Sequence, residues 1–141
     1  MKKSIVLFLL MCAFVGFSQA QQATNSSTEL PANAQQIINE HFSDMVIVGI
    51  AESTDDDDRY QVIFENGFEI EFDKNGNWTE IDGNMLKVPL ALMPSQVNEY
   101  VRNHHPKVAV VKIEKENNNY KVKLSDGIEF VFDGNRIEYE D

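Results

Sequence analysis

The chain has 141 residues, of which 23 are acidic and 12 are basic, giving a formal net charge of −11 at pH 7. A charge of this sign repels phosphate backbones and anionic membrane surfaces, which argues against nucleic acid as a partner. The only cysteine is Cys12 near the N-terminus, so the chain beyond it has no thiol for a disulfide, a zinc site or a nucleophile.

The first 20 residues have the pattern of a secretory signal peptide. Lys2 and Lys3 precede an apolar run from Ile5 to Phe17, and small residues ending at Ala20 follow it. This run is shorter than the roughly 20 apolar residues that a membrane span needs. We therefore expect cleavage after Ala20 and a periplasmic or secreted protein that does not insert into the membrane. Loss of Lys2 and Lys3 changes the net charge from −11 to −13.

The rest of the chain contains the same order of sequence features twice. After a polar stretch at 21–29 that predicts a flexible lead, the features predict a first unit at 30–82, a connector at 83–92 and a second unit at 93–141. The connector carries Leu86, Val88, Leu90 and Leu92, which indicates that it is buried. The matched positions pair Leu30, Tyr60, Gly67, Phe72 and Asp73 with Met93, Tyr120, Gly127, Phe132 and Asp133.

Each unit begins with a helix signal. After Pro31 and after Pro94, three apolar residues and one histidine recur at i, i+3, i+4 and i+7, which places them on one face of a helix. Proline is favoured in the first turn of a helix. A short helix with one apolar stripe must cover another element. The two stripes are Ala34, Ile37, Ile38 and His41, and Val97, Tyr100, Val101 and His104.

Four strands are predicted after each helix. The first strands, MVIVGIAE at 45–52 and VAVVKIEKE at 108–116, are rich in β-branched residues. Alternating apolar and polar residues then lead into Asn-Gly or Asp-Gly turns, which favour hairpins. The sequence thus predicts an α+β fold of two tandem repeats, each a helix packed on a four-stranded antiparallel sheet. Because a unit of about 50 residues buries too little surface alone, we expect both in one compact domain.

These features resemble the PepSY-like family of exported bacterial proteins, also described as beta-lactamase-inhibitor-like. The resemblance rests on the signal peptide, the paired helix starts, FEIEFDKNGNW at 68–78 and its echo IEFVFDGNRIE at 128–138. It implies tandem helix-plus-sheet units whose sheets form a broad binding surface. It also implies a module that binds or inhibits a protein of the hydrolase or peptidase type. No inhibitory residue can be transferred from the resemblance.

Trp78 is the first candidate for a binding residue. Counting by two along its strand places Trp78, and Arg136 as its counterpart, on the face away from the helix. Tryptophan and arginine dominate the energetics of many interfaces. Trp78 could instead pack on a neighbouring strand or beneath the connector. The same count places further residues on this outward face: Ile63, Glu69, Glu71, Lys121, Lys123, Glu129 and Val131.

The acidic run Asp55, Asp56, Asp57 and Asp58 is the second candidate. Adjacent like charges usually form a solvated loop, whereas a calcium site would use the same carboxylate oxygens. The run lacks the glycine and glutamate spacing of an EF-hand. The segment from Asp73 to Asn77 has turn-forming residues, so we expect a turn there and no metal site.

The sequence contains no pattern that specifies a reaction. It has no G-x-S-x-G element and no glycine-rich phosphate loop, and its three histidines lack the helical spacing of a zinc pair. We therefore expect no enzyme activity and no cofactor. The leading hypothesis is an exported protein-binding module whose partner is unknown. A cation or small-ligand binding protein using the acidic loop, or a structural envelope protein, stays open.

Overall fold

In the part of the chain that the structure describes, two helices and eight strands follow one another in the order helix, four strands, helix, four strands. The computed structural model describes residues 30–53 and 59–140. The predicted signal peptide, the lead at 21–29 and the acidic run Asp55–Asp58 lie outside the described residues. The elements are α1 (Ala32–His41), β1 (Ile47–Ser53), β2 (Arg59–Phe64), β3 (Glu69–Asp73), β4 (Trp78–Asp82), a 3₁₀ turn (Leu90–Leu92), α2 (Ser95–His104), β5 (Val110–Glu116), β6 (Asn119–Leu124), β7 (Glu129–Phe132) and β8 (Ile137–Tyr139).

All eight strands belong to one antiparallel sheet in chain order. The junction between the halves is the pairing of β4 with β5, where Ile81 lies opposite Ile113. The α+β class is confirmed, but the expected pair of four-stranded sheets is corrected to a single sheet. Joining the two inner edges satisfies backbone groups that would otherwise be unpaired. It also buries Ile81 and Ile113 completely.

Both helices pack against the same face of this sheet. The buried residues of α1, Ala34 and Ile38, and those of α2, Val97 and Val101, share one core cluster with apolar residues from the strands. Each helix starts directly after a proline, as predicted. The sheet residues of this cluster lie opposite one another across the strands and therefore share the helix side: Val62, Ile70, Ile81, Ile113, Val122 and Phe130.

Aromatic contacts hold each helix end on the sheet. Phe42, directly after α1, packs its ring on Phe64 and Phe68 with centroid distances of 5.6 and 5.2 Å. In the second half, Tyr100 of α2 packs on Phe130 at 5.3 Å. Burial of each such side chain contributes roughly 1.5–3 kcal/mol to folding. The helix stripes are therefore a large part of what makes the sheet stable.

The connector is only partly buried, which differs from the prediction. Val88 is buried and its N–H donates to Val110 O at 2.9 Å. The chain at Val88 therefore runs beside the start of β5 and bonds to it. Leu86 and Leu90 are exposed. The uniform spacing of apolar residues suggested burial throughout, but Leu86 lies in the turn after β4 and Leu90 lies in the 3₁₀ turn, so the extended conformation is broken on both sides of Val88.

Candidate binding face

The face of the sheet opposite the helices is the candidate site, and we call it the outer face. No described helix covers it, because α1 and α2 both pack on the other side. Side chains that lie opposite one another in the strand register share this face. They are Gln61, Ile63, Glu69, Glu71, Glu80, Asp82, Lys112, Glu114, Lys121, Lys123, Glu129, Val131 and Glu138.

Most of the residues predicted to lie on this face do so. Ile63 lies opposite Glu69, and Lys121 lies opposite Val131. All of the following are intermediate in burial: Ile63, Glu69, Glu71, Lys121, Lys123, Glu129 and Val131. Arg136 lies in the turn before β8, where it is exposed, and its Nη2 is 3.3 Å from Glu138 Oε1. These predicted residues therefore do share one face of the sheet. That a partner binds this face stays a prediction.

Trp78 does not lie on the outer face, and its predicted orientation is wrong. It lies opposite the core residue Phe72, at an irregularity in the register of β3 and β4, and only 6% of it is exposed. The ring of Tyr120 lies 6.3 Å from the Trp78 ring, and Lys115 Nζ lies 3.9 Å from the indole centroid. Partial burial lowers the pKa of Lys115. Trp78 therefore packs between the two halves on the helix side.

The error arises from a bulge in β4, because Trp78 lies opposite Phe72 and Glu80 lies opposite Glu71, so Thr79 breaks the count of two. The turn before β4 also differs in length between the halves. The N–H of Asp73 donates to Asn77 O, whereas the N–H of Asp133 donates to Arg136 O. The residue after each acceptor begins the last strand, so Trp78 is equivalent to Ile137 and not to Arg136. Phe132 indeed lies opposite Ile137, as Phe72 lies opposite Trp78. The extra residue in the Asp73 turn was the sequence signal against matching Trp78 with Arg136, and the bulge at Thr79 had no such signal.

Three glutamates form a row across the centre of the outer face. Glu71, Glu80 and Glu114 lie directly opposite one another on β3, β4 and β5. Partial burial raises the pKa of Glu71 and of Glu114, and the charge of Glu80 raises both further. We call these three residues the acidic row. Their mutual repulsion is a cost to the folded chain.

Lysines flank the acidic row and are held by carboxylates. Lys112 Nζ is 2.8 Å from Glu80 Oε1 and 3.7 Å from Asp82 Oδ2. Lys121 Nζ is 2.8 Å from Glu140 Oε2. The hydrogen bond and charge of Glu80 outweigh the effect of burial and raise the pKa of Lys112. These pairs fix the positions of the charges that a partner would meet.

A recess of about 430 Å³ lies on the outer face beside the acidic row. Its lining includes Met85, which belongs to the turn after β4 and is 62% exposed. This turn is held by the N–H of Gly83, which donates to Val111 O at 2.7 Å. Met85 has a positive φ of 70°. Sequence reasoning missed this residue because the apolar spacing of the connector suggested burial.

The two candidate metal sites from the sequence have different outcomes. Asp73 Oδ1 accepts hydrogen bonds from the N–H groups of Asn75 and Asn77, both at 2.9 Å, so this segment forms a turn as predicted. The run Asp55–Asp58 lies outside the described residues. Within 30–53 and 59–140, no group of three or more histidine, aspartate or glutamate side chains is arranged to hold a metal ion.

Histidines and tyrosines join α2 to β8 at the other end of the molecule. The hydroxyl groups of Tyr100 and Tyr139 contact each other, and His105 Nε2 is 3.2 Å from Tyr139 Oη. The ring of His104 stacks on Tyr100 at 4.4 Å. Burial and the hydrogen bond to Tyr139 raise the pKa of Tyr100 to about 12. These contacts hold the last strand of the sheet against α2.

Comparison with known proteins identifies the family of this chain. Residues 58–137 match the profile of a family described as "putative beta-lactamase-inhibitor-like, PepSY-like". The chain belongs to this family. The PepSY-like resemblance that the sequence indicated is therefore confirmed. A search of curated proteins finds no match.

Three solved structures share the fold over most of the chain. One is a protein of Bacteroides thetaiotaomicron described as "putative calcium-regulated periplasmic"; it is 39% identical, with a TM-score of 0.77, and the match covers 86% of this chain and 94% of that one. A protein of Bacteroides vulgatus described as a "putative periplasmic protein from DUF2874 family" is 38% identical, with a TM-score of 0.75 and coverage of 86% and 92%. A second B. vulgatus protein, described as a "putative periplasmic protein of unknown function", is 30% identical, with a TM-score of 0.74 and coverage of 84% and 97%.

Neither helix in the described part of this PepSY-like chain is long and apolar enough to cross a membrane.

Proposed function

We propose that this chain is an exported, non-catalytic module that binds another protein through its outer face. The partner is an exported protein of the hydrolase or peptidase type, which the bound module masks or inhibits. The module acts in the periplasm after its leader is removed behind Ala20. The description of the family as beta-lactamase-inhibitor-like and the periplasmic relatives support this choice.

One observation carries the proposal: a continuous eight-stranded sheet leaves one face uncovered by either described helix. That face combines half-buried apolar residues, Ile63 and Val131, with charges fixed by ion pairs. Such a mixture is typical of non-obligate protein interfaces. Exposed Met85 beside the recess adds a flexible apolar side chain that can adapt to a partner.

The test compares two variants that receive the same new charge on opposite sides of the molecule. Met85→Glu places a carboxylate at the recess, and Leu90→Glu places one in the 3₁₀ turn, where the carbonyl of Leu90 contacts Asn98 of α2. Both residues are more than half exposed, so both variants should fold. Immobilised wild type and variants are exposed to periplasmic extract of the host, and the captured proteins are assayed for hydrolase activity.

We expect the wild type and Leu90→Glu to capture the same hydrolase and to lower its activity, while Met85→Glu loses at least about tenfold in affinity. Equal capture by all three proteins would place the interface elsewhere. Capture of a hydrolase whose activity is unchanged would retain the binding face and reject inhibition.

A second candidate function is cation binding by the acidic run. It is favoured by the B. thetaiotaomicron relative, which is described as calcium-regulated, and by four successive aspartates, Asp55–Asp58, in this chain. Carboxylate oxygens are the ligands that calcium prefers. Calorimetric titration with calcium chloride should then give heat that disappears when these four aspartates are changed to asparagine. Absence of heat in the wild type, or unchanged heat in the variant, would reject this function.

A further inference from the structure

Among the strands that the structure describes, β1 lies at an edge of the sheet. Their order runs from β1 to β8, so each of these two strands has a described neighbour on one side only. A strand in that position presents backbone N–H and C=O groups that a further strand can bind. The two edges differ in length, because β1 has seven residues and β8 has three.

The register shows which groups of β1 point outward. The N–H of Phe64 donates to Phe68 O, so the even-numbered residues of β2 point toward β3. The odd-numbered ones, including Gln61 and Ile63, point toward β1 and pair with Ala51 and Gly49. Because backbone groups alternate along a strand, the N–H and C=O of Ile50 and Glu52 point away from β2.

The side chains near β1 leave room for an added strand. Val46 and Val48 are 51% and 61% exposed. On the outer face, no described residue other than the chain neighbours of Gly49 comes within 4 Å of the space that a Cβ would fill there. On the helix side, Ile47 and Ile50 are only partly buried against the core. Their uncovered surface is what the next strand of the sheet would cover.

The opposite edge of the sheet, formed by β8, is shorter than β1 and more highly charged. Of the residues in and beside β8, Arg136, Glu138 and Glu140 are charged, and Arg136 is paired with Asp133 and Glu138. Charged residues and short length are the usual means of keeping a sheet edge from pairing. Among the described residues of β1, the one feature that could hinder pairing with a further strand is the irregularity of register at Val48. The residues from Gly49 to Ser53 pair regularly with β2.

We propose that β1 accepts an extended segment of another protein as a ninth strand of the sheet. The segment has apolar side chains that cover Ile47 and Ile50, flanked on the same face by basic side chains. Its backbone bonds to the outward groups of Ile50 and Glu52. This surface is distinct from the outer face, so the proposal does not depend on the function proposed above.

Charge determines this choice of partner. Glu52 is exposed at one end of β1, and Asp44 and Glu65 are exposed at the other, where the N–H of Glu65 donates to Val46 O. A basic residue at each end of the added segment would meet these carboxylates. A second copy of this chain is a poorer occupant, because each copy carries a formal charge of −11 before any processing.

The test uses a peptide of seven residues, the length of β1. In Lys-Thr-Val-Thr-Val-Thr-Lys the valines and lysines share one face, so either strand direction brings a lysine to Glu52. The matched control replaces both lysines with glutamate. The exported chain, purified after processing of its leader, is titrated with each peptide while amide shifts and amide hydrogen exchange are followed by NMR.

We expect the lysine peptide to shift amides of β1 and to slow exchange of Ile50 and Glu52 by at least about tenfold, with the glutamate peptide at least about tenfold weaker. Glu52→Pro removes an outward N–H without removing a bond to β2, and Pro is tolerated at such edge positions. This variant should lose peptide binding. Glu52→Gln keeps the backbone N–H and should weaken peptide binding less than Glu52→Pro does. Far-UV circular dichroism of both variants checks that the sheet is intact.

Three results would overturn the proposal. The first is no slowing of exchange at Ile50 and Glu52. The second is an equal effect of both peptides, or shifts confined to the outer face or to β8. The third is sedimentation of the chain alone as a dimer whose β1 amides are already protected, which would make a second copy the occupant.

Discussion

Trp78 is buried because β4 meets β3 with one residue more than regular pairing allows. Trp78 lies opposite Phe72, while Glu80 lies opposite Glu71, so Thr79 is the extra residue. Such a bulge breaks the alternation of side chains. It turns Trp78 toward Tyr120 and Lys115 in the second half. A residue that looked like a binding anchor is therefore a contact between halves.

The Trp78→Ala variant should be strongly destabilised. Removing a buried tryptophan costs about 3–5 kcal/mol in free energy of unfolding, because it leaves a cavity. Urea denaturation measures this loss. As a control, Lys115→Gln removes only the ammonium above the indole and should cost at most about 1 kcal/mol. A small loss for Trp78→Ala would restore the outward orientation that strand counting suggested.

At the scale of elements, the turn between β3 and β4 also packs against the first turn of α1. Gly76 has φ of 79°, and a Cβ there would lie 2.7 Å from Ala34 N. Asn33 Nδ2 donates to Gly76 O at 3.1 Å. Gly134 of the shorter turn between β7 and β8 has φ of 95°, but no described residue other than its chain neighbours lies within 4 Å of its Cβ position. Both turns thus have a glycine with positive φ, and of these two only Gly76 contacts a helix.

This difference predicts unequal effects of the same substitution. Gly134→Ala should cost about 1–2 kcal/mol, the cost of a positive φ for a residue with a Cβ. Gly76→Ala adds a clash with the backbone of α1 and should cost at least about 1 kcal/mol more. Thermal unfolding of both variants gives the comparison. Equal losses would mean that α1 can move away from the turn at no cost.

The acidic row predicts a pH dependence of stability. The pKa of Glu71 is raised in the folded chain, so folding disfavours the charged carboxylate. Its cost is fully present above the folded pKa and disappears only as the pH falls below the ordinary value of 4.5. Glu71→Gln should therefore stabilise the chain at pH 7 by roughly 0.2–1 kcal/mol, and this gain should vanish at about pH 3, where the carboxyl is protonated in both states.

Glu99→Gln is the matched control for this prediction. Glu99 is exposed on α2, away from the acidic row. Denaturation of both variants and the wild type at the two pH values isolates the effect of the row. A gain for Glu71→Gln that is the same at both pH values would show that repulsion of its charge is not the cause.

At the scale of the whole molecule, one sheet joins the halves through the pairing of β4 and β5. Ile81 and Ile113 face each other at this junction and are fully buried. Trp78 adds side-chain contacts across it. Two elements that share a sheet and a core should not unfold separately.

We therefore predict one cooperative transition for both halves. Ile113→Ala, in the second half, should cost about 2–5 kcal/mol. The loss should be the same whether unfolding is followed by fluorescence of Trp78, the only tryptophan, or by far-UV circular dichroism. A fluorescence transition that stays at its wild-type position would show that the first half folds independently.

The sequence alone determined the local structure of this protein. The proline-led apolar stripes predicted both helices, and the alternation with Gly turns predicted all eight strands, because these signals act over a few residues. The same alternation assigned Ile63, Lys121 and Val131 to the outer face. The turn and strand aromatics were also enough to indicate the family.

The tertiary structure alone decided how these elements meet. Whether β4 pairs with β5 depends on two edges from different halves, and no local pattern records that pairing. The orientation of Trp78 depends on one extra residue, which reverses the face of a side chain because strand periodicity is two. The recess beside Met85 and the free edge at β1 likewise exist only once the strands are in order, since both are defined by neighbours distant in sequence.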